Sequence, residues 1–126
     1  MTRKDLKEAY KQTWFKLRKM GVYQIKNQVN GRVFLNGSLN VEGTIERDRS
    51  WLMRGDYLNS KLQADWKAFG PAAFTFEILE TLTPTDGSRD YKEELALLLE
   101  AWLATLEPYG DKGYLPSPFV TETFEQ

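Results

Sequence analysis

Asp48 follows Ile45 by three residues in a segment where Val41, Ile45 and Leu52 recur at helical spacing. Its carboxylate is therefore directed toward the interior of the domain rather than straight into solvent. A carboxylate in that position needs a partner or a purpose, because burying an unpaired charge is costly. Tyr23, in an alternating apolar run, shares a strand face with Ile25 and reads first as a core tyrosine with a hydroxyl to satisfy. Lys4, Lys7, Lys11 and Arg18 line up on one face of a segment at helical spacing. Accumulated cations of that kind bind phosphate backbones, and they equally make an ordinary solvated helix face. The chain contains no histidine and no cysteine, so any chemistry falls to carboxylates, Tyr, Lys, Arg, Ser or Thr.

The elements that must hold these residues follow from pattern and punctuation. Residues 4–19 read as an amphipathic helix with Leu6, Tyr10 and Leu17 inward. Gly21–Lys26 and Arg32–Leu35 read as a β-hairpin around Asn27–Gly31, whose Asn30-Gly31 pair suits a tight turn. Asn40 is the expected N-cap of a helix running to about Arg54 and stopped by Gly55. A second helix, capped near Asn59 or Ser60, is expected to turn Leu58, Leu62, Trp66 and Phe69 inward and to end at Gly70-Pro71. Phe74–Leu79 alternates as a half-buried third strand of a small antiparallel sheet. After a loop from Thr81 to Ser88, Asp90 is placed to cap a helix through about Leu106 carrying Leu95, Leu98, Trp102 and Leu106. The order is αββααβα with a loop-like tail from Pro108.

Composition sets the outer bounds. At 126 residues, 41% hydrophobic and 28% charged, the chain suits one folded domain rather than a disordered segment. No apolar run has the length of a bilayer span and no leader-like segment opens the chain, which predicts a cytoplasmic protein that does not enter membranes. The net charge of -1 conceals an asymmetry: residues 1–70 hold 14 Lys/Arg against 7 Asp/Glu, whereas residues 71–126 hold 3 against 11. The positive excess lies before Val33, so residues 33–70 are charge-neutral.

Gly21-Val22-Tyr23, followed by Phe34-Leu35-Asn36, resembles the paired triplets that name the GIY-YIG nucleases. Asn27–Gly31 is similar to that family's hairpin turn, Asn40-Val41-Glu42 to the start of its first catalytic helix, and Leu62–Phe76 to its helix and F-x-F strand. Glu100–Leu103 and Gly113-Tyr114 resemble its last helix and closing element, so the likeness covers about residues 20–115. It implies an α+β domain with a three-stranded antiparallel sheet flanked by helices, here with an extra N-terminal helix (1–19) and a short tail (116–126).

The resemblance also implies a site, and this sequence departs from it. Tyr23 matches the first site tyrosine, but Phe34 replaces the second and Asn36 stands in place of a glycine. Thr44 occupies the place of the phosphate-binding arginine, and Asp48 that of a histidine. Leu99 falls where a metal-binding glutamate belongs, and Leu115 where the family often has asparagine. Phosphodiester cleavage needs a cation and a metal to stabilise developing charge, and neither Thr44 nor Leu99 supplies one. A carboxylate at Asp48 repels phosphate by about 1 kcal/mol or more at contact in a wet cleft. Arg47 and Arg49 are candidates to restore positive charge or to pair with Glu46 and Asp48, and Glu100 offers an oxygen ligand only if the register shifts by one. The reading that follows is a catalytically impaired binding module needing no cofactor, with nucleic acid as its candidate ligand through Lys4, Lys7, Lys11, Arg18, Arg47 and Arg49. The alternatives are a rearranged endonuclease using Mg²⁺ or Mn²⁺ at Glu100, and a protein-interaction or self-associating domain presenting Trp51.

Overall fold

Two antiparallel strands, β1 (Met20–Asn27) and β2 (Val33–Ser38), form the expected hairpin, with Tyr23 opposite Asn36 and Ile25 opposite Phe34. In the connecting loop Gly31 takes a left-handed φ of 78°, and the Asn27 amide N–H donates to the Arg32 carbonyl at 2.9 Å. Helix α1 (Val41–Arg54) follows, then α2 (Ser60–Phe69), a 3₁₀ turn at Pro71–Ala73, β3 (Phe74–Leu82) and α3 (Lys92–Leu106). This computed structural model describes residues 19–83 and 91–116. The anticipated N-terminal helix, with Lys4, Lys7, Lys11 and Arg18, lies outside the described residues, as does Asp90.

β3 pairs antiparallel with β1, giving the order β2-β1-β3 with the hairpin's first strand in the centre. Alternation along β1 then divides the core. Tyr23, Ile25 and Phe34 face Val41, Ile45 and Leu52 of α1 and Leu62 and Trp66 of α2. Val22 and Leu35 face Leu95, with Leu98, Leu99, Trp102 and Leu106 of α3 completing that layer. The β1–β3 register slips by one residue between Val22 and Tyr23. Beside this bulge a Cβ on Gly21 would lie 2.2 Å from the Glu80 carbonyl oxygen, so only glycine permits the strands' approach.

α1 is bounded as its sequence indicates. The Asn40 side chain accepts from the Gly43 N–H at 3.3 Å, and Gly55 closes the helix at φ 82°. Its buried stripe is Val41, Ile45, Asp48 and Leu52.

α2 corrects two expectations. Asn59 is the cap, accepting from the Leu62 N–H at 3.0 Å, so Leu58 precedes the helix and is not bound by its periodicity. Leu58 is 97% exposed rather than inward. Phe69, in the last turn, is 43% exposed. The space against β3 is taken one turn earlier by Trp66, whose ring lies 5.0 Å from Phe74 and 6.2 Å from Phe76. β3 also runs three residues beyond the expected end at Leu79. Tyr91 occupies the N-cap position of α3 with no side-chain capping bond.

The segment after α3 is irregular but anchored. The Tyr114 N–H donates to the Val33 carbonyl at 3.1 Å, and its buried ring joins the α1–α2 side of the core. The Tyr114 hydroxyl donates to Asp65 Oδ2 at 2.8 Å and accepts from Asn27 at 3.2 Å, while Arg32 reaches the same carboxylate at 3.1 Å. One carboxylate thus ties the hairpin loop, α2 and the closing segment together.

Candidate functional site

The inward turn of Asp48 is explained by its partner. Asp48 is 3% exposed, and Oδ2 accepts a hydrogen bond from the buried hydroxyl of Tyr23 on the central strand. Arg47 Nη2 lies 3.6 Å from Oδ1. Burial, reinforced by the hydrogen bond to Asp48 and its charge, pushes the Tyr23 hydroxyl well above the ordinary phenol range, with a hydrogen bond from Asn36 opposing.

Above this pair opens a cavity of about 350 Å³. Four anticipated residues line it: Phe34 and Asn36 from β2, and Arg47 and Asp48 from α1. Trp51 joins them from the next turn of α1, as its helical position beside the main apolar stripe requires. It is 39% exposed, with the Arg54 guanidinium 5.0 Å from its ring centre.

The remaining wall was not foreseen. Tyr57, Leu58 and Asn59 come from the connection between α1 and α2. Tyr57 packs edge-to-face on Phe34 at 5.9 Å, and burial, then the charge of Asp48 and a hydrogen bond with it, raise its hydroxyl above the ordinary range. The backbone of Tyr57 is fixed by buried Gln63, whose Oε1 accepts from the Tyr57 N–H at 2.9 Å. Gln63 Nε2 in turn donates to the Leu52 carbonyl at 3.1 Å. The signal available in the sequence was an aromatic residue in a connection whose two ends, Gly55 and Asn59, were both readable.

The other anticipated residues lie apart from the cavity. Thr44 shares a 2.6 Å hydroxyl contact with Ser38 beside the N-terminus of α1. Arg49 leaves α1 on another side, bonded to Glu46 at 2.8 Å and stacked 4.6 Å over Phe76, in line with the local pairing considered for it. Leu99 packs in the apolar layer between α3 and the sheet, and Glu100 is exposed on α3. Neither lines the cavity.

A divalent metal of the kind the resemblance implies does not fit the groups present. Asp48 brings a single carboxylate to the cavity, and its neighbours in the wall are aromatic rings, amides, an aliphatic side chain and a guanidinium rather than further carboxylates. Among the described residues no group of three or more Asp, Glu, His or Cys is placed to hold a metal.

A hairpin whose central strand carries Tyr23, a helix facing it and the order β2-β1-β3 make an α+β fold consistent with that of a GIY-YIG nuclease domain. The chain is similar to two solved structures of one such enzyme, I-TevI. The catalytic domain of the homing endonuclease I-TevI superposes with a TM-score of 0.63 at 28% identity, covering 76% of this chain and 96% of that one. A glutamate-to-alanine mutant of the catalytic domain of the intron endonuclease I-TevI gives 0.60 at 28% identity, covering 77% and 92%. Scans against family models and curated proteins found no match. No helix among the described residues is long and apolar enough to cross a membrane.

Proposed function

We propose that this domain is a non-cleaving relative of the GIY-YIG nucleases, which binds nucleic acid through its former catalytic cleft and does not hydrolyse it. The observation that carries the reading is the buried Asp48 at the floor of the cavity, paired with Tyr23. A negative group there opposes entry of a phosphate, and hydrolysis requires the reverse, a cation and a metal gathered on the scissile phosphate. Thr44 and Leu99 stand where the resemblance implies an arginine and a metal ligand, and both are occupied in packing or local hydrogen bonding.

Binding asks for less than hydrolysis. Arg47 lines the cavity and Arg54 lies beside it on the same helix face, over the Trp51 ring. Arg47 pairs with Asp48 and Arg54 with Asp56, but both side chains are mostly exposed and open to a phosphate. Similarity to the catalytic domain of a homing endonuclease supports nucleic acid as the ligand class.

The test is binding of labelled duplex and single-stranded DNA at low and moderate salt, with Mg²⁺ present so that cleavage registers in the same samples. Salt-sensitive binding with intact DNA is expected. Metal-dependent cleavage abolished by Asp48→Ala would overturn the non-cleaving reading, and absence of binding at low salt would overturn the nucleic-acid reading.

A further inference from the structure

Resting on that nucleic-acid reading, we infer that the cavity receives one unpaired nucleobase of a single strand, base first, with the flanking phosphates left at the rim on Arg47 and Arg54. The polarity of the site sets the direction. The carboxylate lies at the floor, almost wholly buried, whereas the side chain of Arg47 is 62% exposed and that of Arg54 is 63% exposed. A ligand that carries anionic groups at one end and a neutral, hydrogen-bonding ring at the other matches this order only with its ring inward.

The walls suit such a ring. Trp51 and Tyr57 offer aromatic surface, and Trp51 retains enough exposure to stack. The volume of about 350 Å³ lies at the small end of the range of about 300–1,000 Å³ usual for ligand sites, suited to one base rather than a paired step. A duplex keeps its bases stacked inside, so an unpaired strand is the form that can present one. Asp48 and Asn36 supply acceptors near the floor, and a carboxylate accepts from the exocyclic amine of cytosine where thymine offers a carbonyl. A cationic side chain from a protein partner would also suit aromatic rings and a carboxylate, but Arg47 in the cavity wall repels it.

The experiment is fluorescence anisotropy with labelled oligo(dC), oligo(dT) and a mixed-sequence duplex, using the wild-type chain, Trp51→Ala and Arg47→Ala. Both variants change partly exposed side chains, and circular dichroism checks that they remain folded. The single strand is expected to bind at least tenfold more tightly than the duplex, with oligo(dC) ahead of oligo(dT). Trp51→Ala is expected to weaken single-strand binding about tenfold, within the range for loss of one base–aromatic stack, and to leave duplex binding unchanged. Arg47→Ala should weaken all of them and lower the salt slope by about one.

Equal affinity for duplex and single strand, or an unaffected Trp51→Ala, overturns the base pocket while leaving nucleic-acid binding in place. Absence of binding to every oligonucleotide overturns the underlying reading as well. Cytidine monophosphate competing as strongly as the oligonucleotide assigns the cavity to free nucleotide and overturns the strand. A lysine-rich peptide that occupies the cavity in place of the strand overturns the proposal in favour of a protein ligand.

Discussion

The Tyr23 hydroxyl donates to Oδ2 of Asp48 across 25 residues of sequence, joining the central strand to the helix that covers it. The pair accounts for a charged residue on an otherwise apolar stripe. It also predicts an asymmetry between substitutions. Tyr23→Phe removes the donor and leaves the carboxylate without its buried partner, which should cost about 1–3 kcal/mol. Phe in place of Tyr together with Asp48→Leu removes both polar groups, so the double variant should be less destabilised than the sum of the singles. Urea unfolding of the four proteins of this cycle measures the coupling.

The Asp65 network predicts a stability profile with losses at both ends of the pH scale. Desolvation opposes ionisation of Asp65, but hydrogen bonds from Tyr114, Asn30 and Arg32, with the charge of Arg32, together hold its carboxyl below the ordinary value of 3.8. The unfolded chain therefore takes up this proton first, and the stabilisation, present above that value, is lost as pH falls through the lowered folded one. Tyr114 behaves oppositely. Its hydroxyl is pushed up to about 12 from 10.0, chiefly by burial, with a hydrogen bond from Asn27 opposing and Asp65 adding to the rise. Its contribution is complete below pH 10 and lost as pH rises toward 12. Chemical unfolding as a function of pH should show both flanks, and Tyr114→Phe should weaken the acid one and remove its part of the alkaline one.

Gly21 carries a purely steric prediction. A methyl group there meets the Glu80 carbonyl oxygen at 2.2 Å, so Gly21→Ala must part β1 from β3 beside the bulge. The expected cost is about 1–3 kcal/mol, in the range of overpacking substitutions, read as a lowered urea midpoint. An unchanged midpoint would show that the strands separate freely at this end.

Gln63 and Tyr57 mark where the sequence stopped being informative. The direction of Asp48 was legible because a 3.6-residue period places Ile45, Asp48 and Leu52 together, and the cap Asn40 and stop Gly55 fixed that helix's ends. The two sides of the sheet were legible from the alternation of Val22, Tyr23, Gln24 and Ile25. No period governs the connection from Gly55 to Asn59, so neither Tyr57 at the cavity nor the outward Leu58 could be placed from spacing. Gln63 was hidden for a different reason. A polar residue at a core position gives no apolar signal, and its burial depends on the Leu52 carbonyl and Tyr57 N–H, which only the tertiary fold brings near. Gln63→Leu should therefore free the Tyr57 backbone and cost about 1–3 kcal/mol, because the partly buried Tyr57 N–H loses its acceptor and the Leu52 carbonyl keeps only the Gly55 N–H.

Introducing a single acidic residue at position 99 should not produce a nuclease. Leu99 lies in the apolar layer with Val22, Leu35 and Leu95, away from the cavity wall, so Leu99→Glu places a carboxylate among hydrocarbon. That burial should cost about 1–3 kcal/mol, whereas exposed Glu100→Ala should change stability by less than about 0.5 kcal/mol. Even a metal captured at residue 99 would lie in the layer on the other side of the sheet from Asp48 and the cavity, and would lack a cationic partner at Thr44. Plasmid nicking with Mg²⁺ or Mn²⁺ is the measurement, and Leu99→Glu is expected to leave the plasmid supercoiled. Nicking by that variant alone would mean that the carboxylate reaches a phosphate despite Asp48, and would overturn the proposal that the charge on α1 opposes cleavage.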